Sequence, residues 1–210
     1  MATDNEQLAG RHWPSWVFAV AVTLLVLTGD LALKSWSFHT VAGKPVIVTQ
    51  NSVDDPLFWH EYAHEPVPVV PYVLSLKLTL NSGAVFGFGK GKQWLFILIS
   101  IAAVGVLGRV FWTTRAGAFW SHLALALILA GALGNLYDRI RFNAVRDMMW
   151  LFPGVKLPFG WRWPGNPGSD DIYPWIFNLA DAALVVGVVL LLIIIWRAPK
   201  PQPVDHKAPD

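Results

Sequence analysis

The chain has 210 residues, 54% hydrophobic and only 14% charged, with the apolar residues gathered in long blocks. That excludes an ordinary soluble domain. A formal net charge of +2 on scattered basic residues excludes nucleic-acid binding, and the absence of cysteine excludes disulfides, thiol nucleophiles and cysteine-ligated metal.

Four segments, at about 16–36, 93–112, 118–137 and 176–196, reach the roughly 20 apolar residues a membrane-spanning helix needs. Trp16, Trp36, Trp94, Trp112, Trp120, Trp175 and Trp196 mark most of their ends, the pattern of an interfacial aromatic belt. The first span is too long for a signal peptide, carries Asp30 and Lys34, and shows no small-residue cleavage site, so it reads as a retained anchor. An even number of spans puts both termini on one side and the long connections, 37–92 and 138–175, on the other. The short loop and tails carry Arg11, Arg115, Arg197, Lys200 and Lys207, which favours cytoplasmic termini under the positive-inside rule. The expected organisation is one integral membrane domain over 1–210.

Asp30 and Lys34 lie four residues apart in the last turns of the first span, with the acid N-terminal. This is the spacing of an ion pair on one helix face, and it would fix the helix's rotation. In the long connection that follows, the stretch 73–81 alternates strictly. Leu74, Leu76, Leu78 and Leu80 face one way, and Ser75, Lys77 and Thr79 the other, as in a half-buried strand. The stretch 46–49 is a plausible partner, and Pro66, Pro68 and Pro71 make the approach extended. A small sheet lying on the membrane surface is expected.

His60, Glu61 and His64 form an H-E-x-x-H match, which on a helix would place two imidazoles on one face with a glutamate as base. Pro56 and Pro66 leave room for only about two turns, and no third ligand is clearly placed. Asn81, Ser82 and Gly83 follow the strand. Small residues there let a backbone approach a ligand closely, or serve as a turn into the second span. In that span Gly105 and Gly108 suggest close helix packing.

The third span ends in Asn135, Asp138 and Arg139. Asn135 and Asp138 share a face, and a helix-end salt bridge accounts for Asp138 with Arg139. After a short extended piece at 143–145 comes Asp147, then an apolar stretch and a Pro- and Gly-rich insert at 153–174 that reads as an ordered surface loop. In the fourth span Asn178 and Asp181 sit a turn apart, with Asp181 about 7.5 Å inside the helix.

Asp30, Lys34, Asn81, Asn135, Asp138, Asp147, Asn178 and Asp181 therefore fall at one membrane face, whichever way the chain is inserted. Polar groups scattered for trivial reasons would divide between both faces. Two carboxylates sharing a site cannot both ionise cheaply, so one keeps a proton. The ionised one can then take a proton from water while the other polarises a carbonyl, with no metal or covalent intermediate. Asn135 and Asn178 are placed to orient them.

Asp30 with Lys34, NSGAVF from Asn81, GALGNLYDR ending at Arg139, VRD ending at Asp147 and FNLAD ending at Asp181 occur in an order that resembles the lipoprotein signal peptidases (signal peptidase II). The resemblance implies a membrane all-α fold, a four-transmembrane-helix bundle with a small β-sheet cradle and loop on the outer membrane face. It implies Asp147 and Asp181 as the catalytic pair, supported by Asn135, Asp138, Arg139 and Asn178, with Asn81, Gly83, Asp30 and Lys34 on the substrate side. The implied substrate is a diacylglyceryl-modified prolipoprotein, cut before its lipidated cysteine by an enzyme of the bacterial inner membrane. The active site would lie near the outer leaflet, no cofactor or metal would be needed, membrane lipid would be a partner, and globomycin would be expected to bind. Met148 stands where the family usually has Phe, and the segment between the two aspartates is long. Two rivals are a zinc peptidase on His60, Glu61 and His64, and a proton-coupled transporter subunit relaying through Asp30, Lys34 and Asp181.

Overall fold

The computed structural model describes residues 7–83, 93–164, 166 and 168–198. In chain order its elements are α1 (Trp13–Thr40), a single turn α2 (Phe58–Glu61), β1 (Val67–Val70), β2 (Leu74–Asn81), α3 (Gln93–Thr113), α4 (Phe119–Phe142), β3 (Val145–Leu151), β4 (Ile176–Phe177) and α5 (Leu179–Arg197). The four long helices are each apolar and long enough to cross a membrane, and they match the four expected spans. The chain is a multi-pass membrane α protein with a small β-sheet region.

Helix α4 is central and packs against α1, α3 and α5. Its inward face is built of small residues, Ala124, Ala126, Ala130, Gly131 and Gly134, so the backbones of its neighbours come close. At Gly131 a Cβ would strike the Ala180 carbonyl at the start of α5, and at Gly134 it would come within 2.6 Å of the Asp30 carboxylate. Gly105 and Gly108 behave differently from the expectation. A Cβ at either would meet no atom within 4 Å, so neither glycine marks a close helix contact.

The strands form one antiparallel sheet in the order β1-β2-β3-β4. Leu76 and Leu78 of β2 and Met148 of β3 are buried with Phe38 from the end of α1, Val46 and Phe58. The sheet is thereby fastened to the bundle. The expected partner strand at 46–49 does not form. The chain turns back at Gly43 (φ 73°), and Val46 donates its N–H to Phe38 O at 2.7 Å and packs into this cluster instead. The partner of β2 on that side is β1, whose Pro68 has no N–H to give and so suits a strand at the sheet's edge.

Two helix boundaries also differ from the hydropathy reading. Helix α4 runs on to Phe142, where Asn143 (φ 57°) caps it in the left-handed conformation. Helix α5 starts at Leu179, because Ile176 and Phe177 are taken by β4, paired with Trp150 and Met149. Asp181 therefore stands in the first turn of α5 rather than about 7.5 Å inside a helix.

Candidate active site

Asn178 is the N-cap of α5. Its Oδ1 accepts from Asp181 N–H at 3.0 Å, while Asp181 Oδ2 accepts from Asn178 N–H at 3.2 Å. This reciprocal capping box satisfies two orphan backbone donors and holds the Asp181 carboxylate at the positive end of the helix dipole. A third donor of that turn, Ala180 N–H, is accepted by Asp30 Oδ1 of α1 at 2.9 Å. The start of α5 is thus fixed by the residues of the polar cluster itself.

Asp147 reaches the same place from β3. Its Oδ1 accepts from Asn178 Nδ2 at 2.6 Å and its Oδ2 from Asn81 Nδ2 at 3.2 Å. Asn81 is oriented by Gly83 N–H, which donates to its Oδ1 at 3.0 Å. Asn135 of α4 donates to Asp181 Oδ1 at 2.7 Å, and its own Oδ1 accepts from Asn178 Nδ2 at 3.1 Å and Lys34 Nζ at 3.2 Å. Asn178 therefore contacts both aspartates, and Asn135 ties Asp181 to the buried lysine.

Lys34 is wholly buried, 2.7 Å from Asp30 and 3.3 Å from Asp138. The ion pair expected from the spacing of Asp30 and Lys34 is present. Both residues have no exposed surface and stand behind Asn135 and the α5 cap. The partner expected for Asp138 is also corrected. It binds Arg146, accepting from Nη2 at 2.9 Å, Nε at 3.2 Å and the backbone N–H at 3.0 Å, and not Arg139. Arg139, one residue round the helix, points elsewhere. Its guanidinium lies over the Phe96 ring and donates to Asn135 O at 3.4 Å and Gly83 O at 3.5 Å.

Arg146 had no role in the sequence reading. Alternation along a strand was the available signal, since Arg146 and Asp147 must face opposite sides of β3. Asp147 takes the open side. There Thr79 stands directly across from it on β2, and a pocket of about 210 Å³ is lined by Thr79, Leu80, Asn81, Ser82, Gly83, Asp147 and Ile176. Ala84, Val85 and Phe86 of the NSGAVF stretch, and Phe88 beyond it, lie outside the described residues.

Asp147 is only 1% exposed. Burial, then the neighbouring charge of Asp181, pushes its carboxyl up to about 8, and the donors Asn178 and Asn81 offset only part of this. Charge counting points the same way. Asp30, Asp138, Asp147 and Asp181 against Lys34, Arg139 and Arg146 leave one negative charge if all are ionised, and none if one acid keeps a proton. A nearly dry cluster favours neutrality.

The rival motifs sit elsewhere. His60 and Glu61 belong to α2, which ends before His64. His64 instead pins the sheet. Its Nε2 accepts from Leu78 N–H at 3.1 Å and its Nδ1 bonds Glu65 O at 2.8 Å, so it shares no helix face with His60. His122, near the start of α4, is held by Thr114 Oγ1 at 3.1 Å beside the turn from α3 to α4, at the opposite end of α4 from Asp138.

A family model described as signal peptidase (SPase) II matches residues 22–197. The lipoprotein signal peptidase of Latilactobacillus sakei subsp. sakei (strain 23K) is 32% identical over 176 residues, covering 84% of this chain and 91% of that protein. That of Streptococcus pyogenes serotype M1 is 34% identical over 143 residues, covering 67% of this chain and 82% of its own. A solved bacterial membrane enzyme, determined by the in meso method at 2.3 Å resolution, shares the fold with a TM-score of 0.62. It is 23% identical, over 88% of this chain and 94% of its own. The matched region runs from before Asp30 to beyond Asp181 and takes in every residue of the polar cluster. The chain belongs to the signal peptidase II family of membrane peptidases.

Proposed function

We propose that this chain is an intramembrane aspartic endopeptidase. It removes the signal peptide from diacylglyceryl-modified prolipoproteins, cutting before the lipidated cysteine, with Asp147 and Asp181 as the catalytic pair. The observation that carries the reading is the sharing of Asn178. One side chain donates to the raised, buried Asp147 and caps the helix that presents Asp181.

In this mechanism Asp181 acts as the base. Its carboxylate, in the first turn of α5, is oriented by Asn135 Nδ2 and Asn178 N–H, which donate to its two oxygens. Asp147 keeps the proton, on Oδ2, whose contact with Asn81 is the longer of its two bonds. Asp181 takes a proton from a water as that water attacks the scissile carbonyl carbon. Asp147 gives its proton to the carbonyl oxygen, forming a tetrahedral gem-diol. Asp181 then passes the proton it took from water to the leaving amide nitrogen as the C–N bond breaks, and a gem-diol hydroxyl returns a proton to Asp147. The open pocket beside β2 gives an extended peptide a place next to Asp147, with Asn81, Gly83 and Thr79 along its path. Asp30, Lys34 and Asp138 act as positioning residues through Asn135 and the cap of α5. The site faces the outer leaflet of the inner membrane with both termini cytoplasmic, and a globomycin-type inhibitor competes for the pocket.

The test is cleavage of a diacylglyceryl-modified prolipoprotein by purified wild type, Asp147→Asn and Asp181→Asn, with chelator present throughout. The expected result is an active wild type and two folded, inactive variants. Cleavage by either variant at the wild-type rate would remove that aspartate from the mechanism, and silencing by chelator would return attention to His60 and His64.

A further inference from the structure

The sheet's two ends differ in character. The end where β3 begins and β4 finishes is joined to α4 and α5 and carries the polar cluster. The other end carries two loops that leave from one place. Phe152 N–H donates to Val73 O at 2.9 Å, so the β1–β2 turn and the root of the 153–174 insert are hydrogen-bonded neighbours.

Both loops are apolar and exposed at their tips. In the first, Val69, Val70, Tyr72 and Val73 are exposed, Tyr72 at 78% with φ 60°. In the second, the sequence Leu157-Pro158-Phe159-Gly160-Trp161 leaves Phe159 91% exposed and Trp161 68% exposed. Their rings lie side by side, with centroids 6.4 Å apart. No charged residue occurs in 69–73 or in 157–161.

The insert is nonetheless ordered at its base. Lys156 Nζ contacts Asp170 at 2.7 Å and Asp171 at 2.8 Å. Leu157 N–H donates to Asp170 O at 2.7 Å, and Ile172 N–H to Val155 O at 2.8 Å. A braced stalk thus presents two aromatic rings, and Phe159 accepts a left-handed φ of 59° to do so. An exposed apolar edge of this kind is a liability in water and a standard feature at a membrane interface, where Trp and Tyr settle at headgroup level.

We propose that this edge, with Phe159 and Trp161 at its centre, is a second membrane anchor. It dips into the interface of the leaflet on the site's side and lays the sheet along the bilayer. The occupant is lipid, because the sheet's other end is already fused to two spanning helices and the tip residues carry the aromatic chemistry of the span ends. The far end of the pocket-bearing strand β2 is then held at a set height, which limits the approach of a peptide to chains already at the membrane surface. The anchor does not depend on the catalytic reading.

The absence of cysteine makes the test clean. Phe159→Cys, labelled with an environment-sensitive fluorophore, is reconstituted in phosphatidylcholine–phosphatidylglycerol vesicles beside the same label at Asp54→Cys, an exposed position in the first long connection. Expected is a blue-shifted emission at 159, strong quenching by a lipid-borne nitroxide placed near the headgroups and weak quenching by aqueous iodide. The label at 54 should show the reverse pattern. Adding Trp161→Ser should reduce the shift at 159. Iodide access at 159 equal to that at 54 would overturn the proposal. Shielding from both quenchers would also overturn it, assigning the edge to a second copy of the chain or another protein surface.

Discussion

Asn178 donates an amide hydrogen to Asp147 at 2.6 Å. The same side chain accepts from the backbone of Asp181 at 3.0 Å, so one residue sets the positions of two acids on different elements. Asn178→Ala removes both bonds. Loss of an N-cap costs about 1 kcal/mol of stability, whereas loss of an oriented acid–base pair costs a factor of about 10² or more in rate. Thermal melting in detergent and kcat on one preparation separate the two, and a variant that loses stability but keeps its rate would make Asn178 a cap and nothing more.

A pH dependence follows from Asp147. Its carboxyl is pushed from an ordinary 3.8 up to about 8, by burial first and then by Asp181. A raised folded-state value means the native protein holds the proton more tightly. The stability so gained is complete below 3.8 and is lost as pH rises through about 8. Cleavage that needs the Asp147 proton falls over the same upper limb. Rate profiles of wild type across this window, with unfolding profiles of wild type and Asp147→Asn, check both points. The variant's stability should lack the decline that wild type shows.

Lys34 is the buried cation between Asp30 and Asp138. Lys34→Met leaves Asp30 without its charged partner, which at a buried site costs about 3–5 kcal/mol. Asp138 retains Arg146 and suffers less. Lys34→Met combined with Asp30→Asn removes the unpaired charge as well, so the double variant should be more stable than Lys34→Met alone. Chemical denaturation in micelles gives the ranking, and equal stability of the two would mean that Asp30 does not depend on Lys34.

His60 and His64 should separate cleanly. His60→Ala should leave cleavage and stability near wild type, since His60 belongs to a single turn outside the polar cluster. His64→Ala strips the acceptor from Leu78 N–H in the strand that carries Asn81, at a cost of about 1–3 kcal/mol for the orphaned donor. Melting temperatures with and without chelator check this. Loss of activity in both variants, together with sensitivity to chelator, would revive the metal reading.

Much was legible from the chain alone because its signals are local. Long apolar runs mark spans wherever they occur, and strict alternation at Leu74, Leu76 and Leu78 marks a strand. Counting spans puts Asp147 and Asp181 at one membrane face without any coordinates. Pairings between distant segments were not legible. Ile176 and Phe177 are as apolar as the helix that follows, and only their ladder with Trp150 and Met149 makes them strand and starts α5 at Leu179. Asp138 is adjacent in sequence to Arg139, yet one residue is about 100° round a helix. Strand alternation turns Arg146 toward Asp138 instead. Asp30 stands 150 residues from the Ala180 N–H it accepts from. The sequence determined which groups had to be near the membrane face, because burying unpaired charge is costly. The tertiary structure alone decided which of them touch, because hydrogen bonds between segments depend on how helices and strands pack and not on their order in the chain.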